Sequence, residues 1–340
     1  MNKLLARLKR VPADVVGVDL GASSVKAVRM RKTQDDIVMT AAAILPSPLA
    51  TNEEGATHVQ RPVSLPGALK GRYVSLATTS PDASVKLLSF PGPSDHNQEN
   101  RILDSLGLAN PEDYRISYRV VREGHARTET RVLAVALPMI DANTVLAMFP
   151  AGIPAPYSIE VSGLATASTF ALTTGIEKNE GSVGLVDFGA ECTSLSLFSR
   201  GTLALVRRFH MGTYNITQSV CDTLGVDAET AEGIVNDGAF DISQSISDVL
   251  SPVVKQIIIS RDFVERREDC TISNIYLSGP KVLTNGAIDS IRSALEVDVH
   301  PWNPTDGINM TDGCLSKKLE GQEWRLSAAM GACLGTLEQT

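Results

Sequence analysis

Short runs of alternating apolar and polar residues fill the first half of the chain, and apolar residues at three- and four-residue steps mark the second. Val15 to Val18, Val25 to Val28 and Ile37 to Ile44 predict three meandering strands with a tight turn at Gly21 to Ser24. Val183 to Val186, Leu195 to Phe198 and Leu203 to Phe209 repeat the same grammar, with turns near Gly189 and Gly201. The clearest helical period runs from Ser245 to Glu268. There Ile246, Val249, Leu250, Val253, Val254, Ile257 and Ile258 form one stripe, with Arg261, Glu265 and Arg266 left to solvent. Pro252 inside that helix predicts a kink or a break. Between Ile44 and Arg72, four prolines (Pro46, Pro48, Pro62 and Pro66) exclude a continuous helix and predict a loop.

Composition narrows the partners more than the fold. A net charge of -8 and a pI near 5.2 give no general attraction for polyanions, and no basic stripe offsets this, so nucleic acid is set aside. The cysteines Cys192, Cys221, Cys270, Cys314 and Cys333 are odd in number and never spaced C-x-x-C, which argues against a disulfide framework or a zinc site and fits a reducing compartment. The most apolar region, Leu133 to Ile159, is broken by Pro138, Asp141, Asn143 and Pro150, so no membrane span is expected. Met1 to Arg10 alternates leucines with Lys3, Arg7, Lys9 and Arg10, the pattern of a short basic amphipathic helix able to touch a membrane surface.

Candidate chemistry sits at the two hairpins, where an Asp-x-Gly follows an apolar strand. A turn of small residues leaves backbone N–H groups open to a phosphate. Gly21, Ser23 and Ser24 are the candidates in the first turn, Gly189 and Thr193 in the second. Asp19 and Asp187, at the strand ends, are suited to hold a hydrated Mg²⁺. One such motif alone is weak, because Asp and Gly favour turns anyway. Two copies with similar flanks, one in each half of the chain, predict two domains facing each other across a phosphate-binding cleft. The five histidines show no metal spacing.

Asp19-Leu20-Gly21-Ala22-Ser23-Ser24-Val25-Lys26 and Asp187-Phe188-Gly189 through Thr193 resemble the two phosphate loops of the actin, sugar-kinase and heat-shock chaperone superfamily. Within it the chain is most similar to the type IV pilus assembly PilM family. The resemblance implies an α/β actin-like (ribonuclease H-like) two-domain fold with an FtsA/PilM-type inserted subdomain. Its parts fall at a basic segment 1–13, first domain 14–71, insert 72–150, return and connection 151–181, second domain 182–323 and a C-terminal helix 324–340. Tyr73 to Ala77 and Val85 to Phe90 resemble the paired strands that open the insert.

The resemblance further implies ATP and Mg²⁺ as ligands, with Lys26, Gly212, Glu232 and Gly279 joining the turn residues. Glu160 stands at the family's acidic position and is the candidate for orienting water. It implies a scaffold that binds the cytoplasmic N-terminal tail of a PilN-like bitopic membrane protein, with other pilus or secretion components, at the inner face of the bacterial inner membrane. The tail is expected in a groove between the first domain's core and the insert, on the surface between Tyr73 and Phe90.

Departures cluster where nucleotide is held. Pro280 and Lys281 follow Gly279 in place of a glycine-rich loop, Val235 stands at the family's Lys position, and the glycine pair has lost its second member after Gly212. At most a weak ATPase follows, with nucleotide binding alone or a degenerate scaffold as the other forms of the same reading. A small-molecule kinase and an FtsA-like filament are the alternatives.

Overall fold

The computed structural model describes residues 11–338 except 22, 35, 52–56, 60, 96, 126–127, 175, 177–180 and 238–239; it gives backbone alone at 49–51, 57–59, 236–237, 281–284 and 286. The basic segment Met1 to Arg10 lies outside the described residues, as does Ala22 of the first turn. Among the described residues no helix is long and apolar enough to cross a membrane.

The chain divides into two compact units. One comprises Met1–Thr79, Asn143–Thr174 and Pro304–Thr340, the other Ser80–Ala142 and Gly175–Asn303.

The first unit is built on a six-stranded sheet in the order β10-β6-β1-β2-β3-β16. These strands are β1 (Asp14–Leu20), β2 (Ser24–Lys32), β3 (Ile37–Pro46), β6 (Tyr73–Thr78), β10 (Ala155–Val161) and β16 (Asn309–Met310). β1 is apolar nearly throughout because both sheet faces are covered. Val16, Val18, Leu20 and Val25 pack with Leu65, Leu69, Val145 and Met148. On the opposite face Val15, Val28, Met30 and Met39 pack with Ala329, Met330, Cys333 and Leu334 of α8 (Ser327–Leu337). Small residues let α8 come close: a Cβ on Gly17 would lie 2.0 Å from the Ala329 carbonyl oxygen, and one on Gly331 would lie 1.9 Å from that of Ala165, in α3 (Ser162–Thr173). The proline-rich stretch carries β4 (Leu49–Thr51), β5 (Thr57–Val59) and a single 3₁₀ turn at Gly67–Leu69, with no longer helix among its described residues.

Tyr73–Thr78 departs from expectation. It pairs in parallel with β1 and β10 inside this sheet and not with Val85 to Phe90. The resemblance marked it as a strand paired within the insert, but a strand's own residues carry no information about which distant strand is the partner.

The second unit holds two sheets. A five-stranded sheet runs β13-β12-β11-β14-β15, from β11 (Ser182–Phe188), β12 (Thr193–Ser199), β13 (Thr202–Phe209), β14 (Ile272–Ser278) and β15 (Asp298–Pro301). Its core takes Val186, Leu195 and Leu197 against Ile216 of α4 (Thr213–Leu224), Ala231 of α5 (Ala228–Asp237), Leu250 and Ile257 of α6 (Ser243–Glu268) and Ile291 of α7 (Lys281–Leu295). α6 runs unbroken through Pro252. Of the three residues expected in solvent on α6, only Arg266 is largely exposed; Arg261 donates to the Leu295 carbonyl at 2.6 Å and lies 3.7 Å from Glu265. The other sheet, β7-β9-β8, joins β7 (Ser84–Pro91), β8 (Tyr114–Arg122) and β9 (Glu129–Pro138). Residues Ile102 and Leu106 of α1 (Gln98–Leu106) cover one of its faces, against Phe90, Val132, Ala134 and Ala136. The helix α2 (Met139–Ala147) follows β9.

Candidate functional site

The two Asp-x-Gly hairpins lie in different units. In the first unit, register places Lys26, Asp19, Ala77 and Glu160 side by side across β2, β1, β6 and β10, on one face of the sheet. Asp19 is buried and its carboxylate is 3.4 Å from the Lys26 ammonium. Ser162, first residue of α3, donates its hydroxyl to the same carboxylate at 2.8 Å. The ammonium lies against the turn, since a Cβ on Gly21 would be 2.5 Å from Lys26 Nζ. Ser23 is exposed, whereas the buried Ser24 hydroxyl accepts a hydrogen bond from Arg325 at 2.6 Å. Ser24 therefore offers its backbone to the turn while its side chain ties β2 to the segment leading into α8.

Two strands from Asp19, at a backbone distance of roughly 10 Å from the usual strand spacing, stands Glu160. Ala77 separates them and packs with Ala165, Ala328 and Ala332. The Glu160 carboxyl lies over α8 at Gly335, where a Cβ would be 2.5 Å from Oε1. Burial pushes its pKa up to about 7. Nearby, the Ser75 and Thr336 hydroxyls share a hydrogen bond of 2.6 Å.

The second hairpin brings Gly189, Thr193 and Gly212 together, and backbone groups tie them. The Gly189 N–H donates to the Cys192 carbonyl at 3.0 Å, while the N–H groups of Thr213 and Tyr214, at the start of α4, donate to the carbonyls of Gly189 and Ala190, also at 3.0 Å. Thr193 donates its hydroxyl to the Met211 carbonyl at 2.7 Å. Gly212 is the N-cap of α4: its N–H donates to the Asn215 side chain at 2.9 Å, and the Asn215 N–H donates back to the Gly212 carbonyl at 3.1 Å. A Cβ on Gly212 would lie 2.4 Å from the Ala190 carbonyl oxygen, so glycine is required by contact.

Asp187 shares a row with Ser194 on β12 and Ser278 on β14. The Ser278 hydroxyl is buried and has no hydrogen-bond partner among the described residues. Gly279 has φ +149° and backs onto Phe188, where a Cβ would come within 2.9 Å. Glu232 is exposed on α5. Burial first, then the charges of Glu191 and Glu232, raises the Tyr214 pKa, so two carboxylates flank this loop.

The fit to a nucleotide differs between the loops. The first offers an ammonium against a turn of small residues, which suits a phosphate. In the second, several backbone donors are spent within the protein and the neighbouring side chains add negative charge. Among the described residues no group of three or more His, Cys, Asp or Glu could hold a metal by itself. Sequence reasoning missed Ser162, Arg325, Ser278 and Asn215. Of these, only Asn215 had a local signal, standing three residues after Gly212, the spacing of a reciprocal cap.

The family model for type IV pilus assembly protein PilM matches residues 156–337, more than half of the chain. The chain belongs to the PilM family. A solved chain of a PilM-PilN type IV pilus biogenesis complex is 19% identical and superposes with a TM-score of 0.78, over 96% of this chain and 100% of that one. The PilM-family chain also aligns with the archaeal actin homologue Ta0583 (10% identity, TM-score 0.47, covering 96% and 100%). A third match is a Bacteroides thetaiotaomicron protein with an actin-like ATPase fold (9%, 0.46, covering 88% and 93%). The fold is the one shared with the PilM-PilN chain, and the function of a type IV pilus assembly protein follows from the family. No curated protein matches the chain.

Proposed function

We propose that this chain is a scaffold at the inner face of the bacterial inner membrane, binding the cytoplasmic N-terminal tail of a PilN-like membrane protein in a manner modulated by ATP. Family membership supports the assembly role. The observation that carries the nucleotide reading is the Lys26 ammonium, lodged against Gly21 and paired with Asp19.

In this reading Lys26 and the backbone of Gly21, Ser23 and Ser24 bind phosphate, and Ser162 keeps Asp19 turned toward Lys26. Asp19 and Asp187 hold a hydrated Mg²⁺, with the Ser278 hydroxyl in the same row as Asp187; Gly189, Thr193, Gly212, Glu232 and Gly279 belong to the second loop. Bound Mg²⁺ would neutralise phosphate charge. Glu160 is the group that would orient water in any hydrolysis, which its raised pKa makes possible near neutrality. Of the segment expected to meet the tail, β6 is buried within its sheet, so β7 is the part that offers a surface.

Titrating the tail of a PilN-like protein, as a synthetic peptide, with and without ATP and Mg²⁺ tests both parts. The peptide binds, ATP changes its affinity at least fivefold in the wild type, and Lys26→Ala abolishes that change, because coupling between two ligands is reciprocal and requires both to bind. Absence of peptide binding removes the scaffold reading; equal binding with and without ATP removes the modulation.

A further inference from the structure

β8 closes one side of the three-stranded sheet, and among the described residues no strand pairs with its outer edge. It is nine residues long. Edge strands are usually kept short or interrupted, because their free N–H and C=O groups invite another chain to pair.

Its side chains are sorted by face. Ile116, Tyr118 and Val120 stand opposite Ala136, Ala134 and Val132, on the face that α1 covers only in part; Tyr118 remains 44% exposed and Val120 36%. Arg115, Ser117 and Arg119 stand opposite Leu137, Val135 and Leu133 on the other face. Simple alternation would put Arg122 with Tyr118 and Val120. A bulge between Val120 and Arg122 instead sets Arg122 opposite Arg131, in line with Arg115 and Arg119. All three arginines are exposed, and none has an ion-pair or hydrogen-bond partner among the described residues. Glu112 and Asp113 precede the strand and Glu123 follows it, so the positive charge is confined to the paired length itself.

In a chain of net charge -8 this is a local reversal. Two copies pairing through β8 would set arginine rows beside each other, which disfavours self-association. We propose that the β8 edge docks an extended segment of a partner protein in which acidic and apolar residues alternate. The segment adds a fourth strand, its carboxylates beside Arg115, Arg119 and Arg122 and its apolar residues beside Ile116, Tyr118 and Val120. This edge is the one opposite β7 in the same sheet.

Fluorescence anisotropy on the full chain with a labelled Glu-Val-Glu-Val-Glu-Val-Glu peptide tests it. Binding that weakens with salt is expected, at least tenfold weaker for Arg115→Glu/Arg119→Glu/Arg122→Glu and for a peptide with Pro in place of each Val. Lys at the three positions retains binding within a few-fold, and amides of β8 gain exchange protection on binding. The Pro comparison and the Lys variant decide the matter even where the triple Glu variant fails to fold. Equal binding of the Val and Pro peptides reduces the surface to a nonspecific cation patch and overturns the proposal. So does no peptide binding, or arginine-dependent binding to phosphatidylglycerol vesicles in its place.

Discussion

Around the first turn the ties are between charges and hydroxyls: Lys26 to Asp19, Ser162 to Asp19 and Arg325 to Ser24. Around the second they are backbone amides that run directly into the first turn of α4. The two hairpins began from the same Asp-x-Gly grammar, so sequence likeness did not determine what holds them. Side-chain ties can be exchanged for a ligand at small structural cost. Backbone ties that also cap a helix cannot, because releasing them exposes buried donors and acceptors together.

The sharpest way to break this contrast is a methyl group at Gly212. Ala there meets the carbonyl oxygens of Ala190 and Gly189 at 2.4 and 2.6 Å, and both are backbone atoms. Gly212→Ala should cost about 3 kcal/mol from overpacking and a disturbed cap, read as a lowered urea midpoint. Next in size is Glu160→Gln. Below the ordinary carboxyl value of 4.5 the acid is neutral in both folded and unfolded chains. As pH rises from 4.5 to about 7 the unfolded chain ionises while the folded one keeps its proton, and the wild type loses stability. The Gln variant should match the wild type at pH 4 and exceed it by about 2 kcal/mol at pH 8, in paired denaturation curves. A pH-independent difference would place the Glu160 carboxyl in water. Smallest is Gly21→Ala, whose methyl meets the flexible end of Lys26 at 2.5 Å and comes no closer than 3.3 Å to backbone, at the Ser24 carbonyl oxygen. It should change stability by less than about 1 kcal/mol while displacing the ammonium, so ATP affinity falls and the melting curve barely moves. A large loss of stability there would mean that the two turns are held alike after all.

Much of the fold could be read from periodicity because the decisive patterns are local. Val15 to Leu20, Val183 to Phe188 and the stripe on α6 each state their own burial. What stayed hidden depends on distant partners. β6 was marked as a strand by resemblance, yet its place between β1 and β10 requires residues more than fifty positions away on either side. Pro252 implied a kink or a break, and no break occurred; the buried stripe on both sides of it holds α6 as one piece. At the candidate site the turn residues were legible, but the roles of their side chains were not. Ser24 is claimed by Arg325 and Thr193 by Met211, and the environment of Glu160 is set by Gly335. None of these partners is near in sequence to the residue it governs, except Met211 across a hairpin.

The placement of α8 bears on how the protein is made. A ribosome releases Val15, Val28, Met30 and Met39 long before residues 327–337 emerge to cover them. During that interval one face of the first sheet is a bare apolar surface, while the strands and helices from 182 to 301 already have their partners to hand. The second unit's five-stranded core can therefore mature on the nascent chain, and the first remains dependent on chaperones or on its own slow pairing until the last helix arrives. A truncation before residue 327 would strand that face permanently, making such fragments prone to aggregate whatever the state of the rest.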